Sequence, residues 1–320
     1  MDCLNKRSLI EMDACRFLLT DLRKLAVGQF LEDHINLWFD IFSLLDLKSQ
    51  LSLLFTCSSF NNNLSIIDLC NIDEKYLNVL PNDILRFDIF KYVTKLQANT
   101  KITDVSFMKN LKKLNAQYYY GIDQNGIKGL DLVELDAGDN NRITNVSFMK
   151  NLKKLNAQYY YGIDQNGIKG LDLVELNIHH NIKITNISFM KNLKKLDASN
   201  NCGIDQNSIK KLDLIELDAC DNDKITNVSF MKNLKILYVW GNCGIDQDGI
   251  KGLNLVELNA GGNSKITDVS FMKNLKVLKV WGNCGIGQDG IQGLDLVELN
   301  AYKNSKITNI SFMKKLKSIP

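Results

Sequence analysis

A Ser-Phe-Met-Lys block recurs at Phe107, Phe148, Phe189, Phe230, Phe271 and Phe312, always 41 residues apart with no insertion or deletion. A fixed period of this size restricts the chain to a solenoid or a propeller, in which each unit buries its apolar face only against its neighbours. Such arrays offer long surfaces to other molecules, so the period points to recognition before chemistry.

The period divides into half-repeats of 21 and 20 residues, one running from Ile102 to Ala116 and the next from Gly121 to Asn140. Both close on Leu-x-x-Leu-x-Ala-x-x-Asn, as in Leu132 to Asn140 and Leu193 to Asn201. This pattern resembles the leucine-rich-repeat strand, with alanine mostly replacing its third aliphatic residue. Anchoring leucines from Leu96 and Leu114 to Leu299 mark eleven coils, and Ile319 begins a twelfth. At strand spacing the stack extends about 50 Å. The closing asparagines, Asn140, Asn181, Asn201, Asn222, Asn242, Asn263, Asn283 and Asn304, are expected to be buried and to satisfy backbone groups where the chain leaves the sheet. Tyr119 and Tyr160 stand in their place in two coils. Ser106 and its equivalents, with Asp123, Asp164, Asp205 and Asp246, read as N-caps of short helices or 3-10 turns.

The third, fifth and seventh positions of each strand motif should share one face. The third alternates Lys113, Glu134, Lys154, Glu175, Lys195, Glu216, then changes to Ile236, Glu257, Val277, Glu298. Aromatic residues arrive where the lysines stop: Tyr238, Trp240, Trp281 and Tyr302. Gly261, between the two tryptophans in the stack, is expected to leave a notch. These changes nominate Ile236, Tyr238, Trp240, Val277, Lys279, Trp281 and Tyr302 as a surface for a protein or peptide target. The alternative is that the aromatics pack on each other and close that end of the face. Tyr118–Tyr120 and Tyr159–Tyr161 form triplets just past two strands, on the rim. Asp136, Asp197 and Asp218 read as solvated.

A formal charge of +3 is too small to make nucleic acid or an anionic membrane the expected partner. No apolar run reaches the ~18 residues of a membrane span, and no signal-peptide core is visible, so a cytoplasmic or nuclear location is expected. Cys202, Cys243 and Cys284 share one repeat position and lie about 10 Å apart in a stack, beyond the ~7 Å a disulfide spans. The three histidines, His34, His179 and His180, lack recognisable metal-ligand spacing, and no phosphate-cradling glycine motif, nucleophile elbow or HExxH occurs. Neither enzymatic activity nor a cofactor is expected. Residues 106–135 and 147–176 are identical, so their identity reflects duplication and locates no function.

The half-repeat starting at Lys101 resembles the internalin-type leucine-rich repeat, and the one starting at Asn201-Cys202-Gly resembles the cysteine-containing repeats of F-box proteins. The N-terminal region has no period and a helical apolar spacing. Its segment 33–64, with Ile41-Phe42-Ser-Leu-Leu45 through Cys57-Ser-Ser-Phe60, resembles the core of an F-box. That resemblance implies a small helical module docking on a Skp1-type adaptor of a cullin ubiquitin ligase, through Ile41, Phe42, Leu45, Leu51, Leu54, Cys57 and Phe60. The same segment also fits a helical cap over the first coil. The combination is similar to F-box and leucine-rich-repeat proteins of amoebae and their giant DNA viruses. The expected architecture is α/β: a small all-α module over residues 1–65, a linker and cap over 66–92, and over 93–320 a right-handed leucine-rich-repeat solenoid with a parallel sheet on its concave face.

Overall fold

The computed structural model describes residues 68–69, 93–98, 102–117, 121–159 and 162–317. The segment read as an F-box, with Ile41, Phe42, Leu45, Leu51, Leu54, Cys57 and Phe60, lies outside the described residues, as do Tyr118–Tyr120, Tyr160 and Tyr161.

One parallel sheet of twelve strands runs the length of the described chain in sequence order. Its strands are β1 (Asp68–Leu69), β2 (Lys95–Gln97), β3 (Lys113–Asn115), β4 (Glu134–Asp136), β5 (Lys154–Asn156), β6 (Glu175–Asn177), β7 (Lys195–Asp197), β8 (Glu216–Asp218), β9 (Ile236–Tyr238), β10 (Glu257–Asn259), β11 (Val277–Lys279) and β12 (Glu298–Asn300). The sheet therefore begins one strand before the first expected coil, with Leu69 in register with Leu96 inside the segment read as linker and cap. Each later leucine continues that register, as Leu114 on Leu135 and Leu278 on Leu299.

The alternation within each strand explains the layering. The central leucine of every strand from β2 onward is at most 3% exposed, while its neighbours face outward. Behind it, each coil adds a set such as Ile102, Val105, Met108 and Leu111, all buried. Full burial of one such side chain contributes about 1.5–3 kcal/mol. The core is thus a continuous apolar column that no single coil could form.

Between strands, the two kinds of half-repeat interlock. Gln165 Oε1 accepts the N–H groups of Thr185 and Asn186 on the next coil, and its Nε2 donates to Asn186 O. Gln124, Gln206, Gln247 and Gln288 make the same clamp. Asp123, Asp164, Asp205 and Asp246 accept backbone N–H groups at their turns, as expected of caps. The equivalent turns at Asp248–Ile250 and Asp289–Ile291 are 3-10 helices, while Asp205 caps an α-helix, α1 (Gln206–Ile209). There Ser208 replaces the glycine of the other coils and sends its hydroxyl to Thr185 O at 2.7 Å. At Gly126 and Gly249 an added Cβ would run into backbone carbonyls, of Thr103 and Thr226, so those turns stay tighter.

Two expectations need correction. Ser106 is not the cap acceptor: its N–H and hydroxyl both donate to Asp104 Oδ1, at 2.9 and 2.6 Å. Asn145, Asn186, Asn227 and Asn309 hold their serines likewise, because a short amide or carboxylate acceptor suits this turn. The asparagine stack is also shorter than expected, with five of the eight buried. Asn140, Asn181, Asn222, Asn263 and Asn304 are buried, whereas Asn201, Asn242 and Asn283 are exposed. In those three coils a Cys-Gly step follows, and the N–H of Gly203, Gly244 or Gly285 donates to the carbonyl of the buried asparagine one coil earlier (Asn181, Asn222 or Asn263) at 2.9 Å. The thiol of Cys202, Cys243 or Cys284 then faces the core in place of the amide.

The buried asparagines are fully used. Asn181 Nδ2 donates to Ala157 O (2.7 Å) and Ile163 O (3.0 Å), and its Oδ1 accepts from Lys183 N and Ile184 N. Cys202 Sγ donates to Ala198 O at 3.0 Å. Burial pushes Cys202 and Cys243 up to about 11, so these thiols stay protonated and unreactive.

Candidate functional site

The outward positions of the strands form three rows across the sheet face. In the first, Lys113–Glu134, Lys154–Glu175 and Lys195–Glu216 are ion pairs at 2.8, 3.0 and 3.2 Å. They join strands in direct register, and pairs this exposed contribute about 0–1 kcal/mol each. After Glu216 the row changes to Ile236, Glu257, Val277 and Glu298, and Glu257 turns diagonally to Lys279 at 3.6 Å.

The middle row carries a regularity that the sequence reading passed over. Asn115, Asn156, Asn177, Asn259 and Asn300 each accept the backbone N–H two residues on, at Gln117, Gln158, His179, Gly261 and Tyr302. Asp136, Asp197 and Asp218 do the same for Gly138, Ser199 and Cys220. They are not simply solvated: burial holds the carboxyls of Asp136 and Asp218 above the usual range. The signal was an Asn or Asp one position after the central leucine in eight of the ten strands from β3 onward. It breaks at Tyr238 and Lys279, whose coils are the two that carry tryptophan at the third outward position.

That third row contains His179, Trp240, Gly261, Trp281 and Tyr302. His179 Nδ1 lies 2.8 Å from Ser199 Oγ, which donates to Asp197 Oδ1. Burial lowers the His179 pKa, against the pull of Asp197. Tyr159 meets the His179 ring edge-on at 5.7 Å. Trp240 and Trp281 approach to 6.4 Å between centroids and are both half-buried. The expected notch at Gly261 is filled. A Cβ there would collide with Cε2 and Nε1 of Trp281, whose indole lies over the glycine. Tyr302 remains 62% exposed, with Lys303 Nζ 5.0 Å from its ring. Tyr238 is pushed up to about 12 by burial and by Glu257.

A groove of about 480 Å³ runs along the face over strands β2 to β9, lined by residues such as Lys113, Glu175, Asp197 and Asp218. Tyr238 closes the lining, so the groove meets the nominated residues at that one side chain. Ile236, Trp240, Val277, Lys279, Trp281 and Tyr302 continue the same face beyond the groove. Among the described residues no helix is long and apolar enough to cross a membrane, and no three His, Cys, Asp or Glu side chains converge as a metal site.

A single-register parallel sheet makes this molecule a parallel-sheet solenoid, and the Leu-x-x-Leu motif on its strands is similar to that of leucine-rich repeats. No family model and no curated protein matches the chain. Among solved structures it is similar to an internalin, InlF, from Listeria monocytogenes, at 18% identity and TM-score 0.42, over 72% of this chain and 87% of that one. The leucine-rich repeat domain of APL1B gives 17% identity and TM-score 0.42, over 75% and 77%. The functional domain of InlJ from Listeria monocytogenes, described as including a cysteine ladder, gives 17% and 0.37, over 72% and 48%.

Proposed function

We propose that this protein is an interaction scaffold and not an enzyme, binding a protein or peptide target on its sheet face. The observation that carries this reading is the cluster of Tyr238, Trp240, Trp281 and Tyr302 at the end of a rigid sheet, with Tyr302 largely exposed and both indoles half-exposed. Large aromatic side chains on a fixed backbone are the usual anchors of protein interfaces, and truncating one such anchor costs about 2 kcal/mol or more. The double variant Trp240→Ala/Trp281→Ala should therefore lose its partners in quantitative co-purification while keeping its thermal midpoint within a few degrees. An unchanged partner set would refute the reading.

We further propose that segment 33–64 acts as an F-box, making the protein a substrate-recruiting adaptor of a cullin ubiquitin ligase in the cytoplasm or nucleus, or in the host cytoplasm for a viral chain. Its support is the resemblance at Ile41, Phe42, Leu45, Leu51, Leu54, Cys57 and Phe60. Ile41→Asp/Leu45→Asp should abolish co-purification of a Skp1-type adaptor. Absence of adaptor binding by the parent at micromolar concentration sinks this reading and leaves a scaffold whose N-terminal segment is a cap.

A further inference from the structure

We propose that the sheet face from β7 to β11 docks an extended, basic segment of a protein partner, one Lys or Arg side chain lying over Asp197 and Asp218 beside Tyr238. This rests on the sheet-face reading above and specifies the chemistry of the target. Asparagine supplies the turn acceptor at the middle position in five coils. Aspartate at positions 197 and 218 makes the same hydrogen bond and adds charge that the architecture does not use.

That charge is unbalanced. Asp197 and Asp218 are direct register partners on neighbouring strands, about 4.8 Å apart at sheet spacing. Lys195, on the same strand as Asp197, is already committed to Glu216. The two carboxylates line the groove where it ends at Tyr238, and Tyr238 is the next register partner of Asp218. A carboxylate pair flanked by an aromatic ring suits an ammonium or guanidinium group, which gains charge-assisted hydrogen bonds and a cation–π contact. Beyond it, Ile236 and the indoles of Trp240 and Trp281 offer apolar surface to the aliphatic stems and neighbouring side chains of the segment. Loss of lysine at positions 236 and 277 removes the like charges that would repel it. Glu298, with no ion-pair partner among the described residues, extends the negative side of the face.

The test selects random linear peptides of about twelve residues on the full-length protein, then measures each by fluorescence anisotropy. Selected peptides should be enriched in Lys and Arg, bind D197N/D218N at least tenfold more weakly, and weaken steeply with added salt. D197N/D218N should fold with a midpoint at or above the parent's, since asparagine serves the same turn elsewhere. Peptides without basic residues that depend on Trp240 and Trp281 would overturn the basic-segment proposal and leave the sheet-face reading standing. Peptides indifferent to D197N/D218N and to W240A/W281A alike would overturn both. A selection yielding no binder also overturns the basic-segment proposal, leaving the co-purification test to judge the face.

Discussion

Asn222 and Asn242 both sit five residues after an anchoring leucine, yet only Asn222 is buried. Its Nδ2 donates to Ala198 O at 2.8 Å and its Oδ1 accepts from Lys224 N at 3.0 Å. Asn222→Ala strands these backbone groups in the interior, where each costs about 1–3 kcal/mol. Urea denaturation should show a loss of about 3 kcal/mol, against under about 0.5 kcal/mol for the exposed Asn242→Ala. Asp218 makes the opposite case, since its neutral form is favoured by burial. Its folded pKa lies above the unfolded 3.8, so the native state binds the proton more tightly and stability falls as pH rises through that window. Asp218→Asn should therefore raise stability at pH 7, and the gain should vanish below the unfolded pKa in a pH series of thermal melts. The same change weakens binding if the basic-segment proposal holds, so stability and affinity move in opposite directions.

At the scale of the coil, the sequence was legible wherever one residue type repeats at a fixed offset. Leu114 to Leu299 specify the register, and Lys113, Glu134 and their successors give the charge ladder in the order found. Features set by how neighbouring coils meet were not legible. Whether an asparagine or the following cysteine is buried depends on a glycine N–H reaching the coil before it, as at Gly203. Whether Gly261 leaves a notch depends on the direction taken by the Trp281 indole, one strand away. The glutamine clamps join residues 20 and 21 positions apart, which no local pattern displays. Gly261→Ala tests the packed indole directly. The added methyl must push Trp281 outward, so tryptophan emission should shift to longer wavelength and acrylamide quenching should increase. Stability should fall by about 1–3 kcal/mol, the range for overpacking.

Over the whole molecule, the alternation of two coil types makes the 41-residue pair, not the single coil, the unit of cooperation. Each coil is held by partners of the other type: Val146 N–H donates to Gly167 O, and Thr185 N–H to Gln165 Oε1. Asn181 bridges Ala157 and Ile163 across the same boundary. Deleting residues 147–187 joins Val146 to Ser188 and restores every contact type, because Ser147 and Ser188 begin equivalent blocks. Stability in such stacks is close to a sum of unit and interface terms, so this shorter solenoid should unfold cooperatively, with a smaller m-value and a midpoint near the parent's. Deleting residues 163–183 instead places two coils of the first type together. The leucine register survives, but Val146 N–H, Thr185 N–H and Asn186 N–H lose their acceptors, and Ala157 O loses its amide. Thr185 and Asn186 are exposed, but Val146 and Ala157 are buried. At about 1–3 kcal/mol for each buried group left unpaired, the junction should separate the stack into two units. Urea unfolding followed by circular dichroism should then show a broadened or two-step transition for this deletion and a single sharp one for the other. Equal cooperativity in the two would mean that the leucine column alone holds the solenoid together.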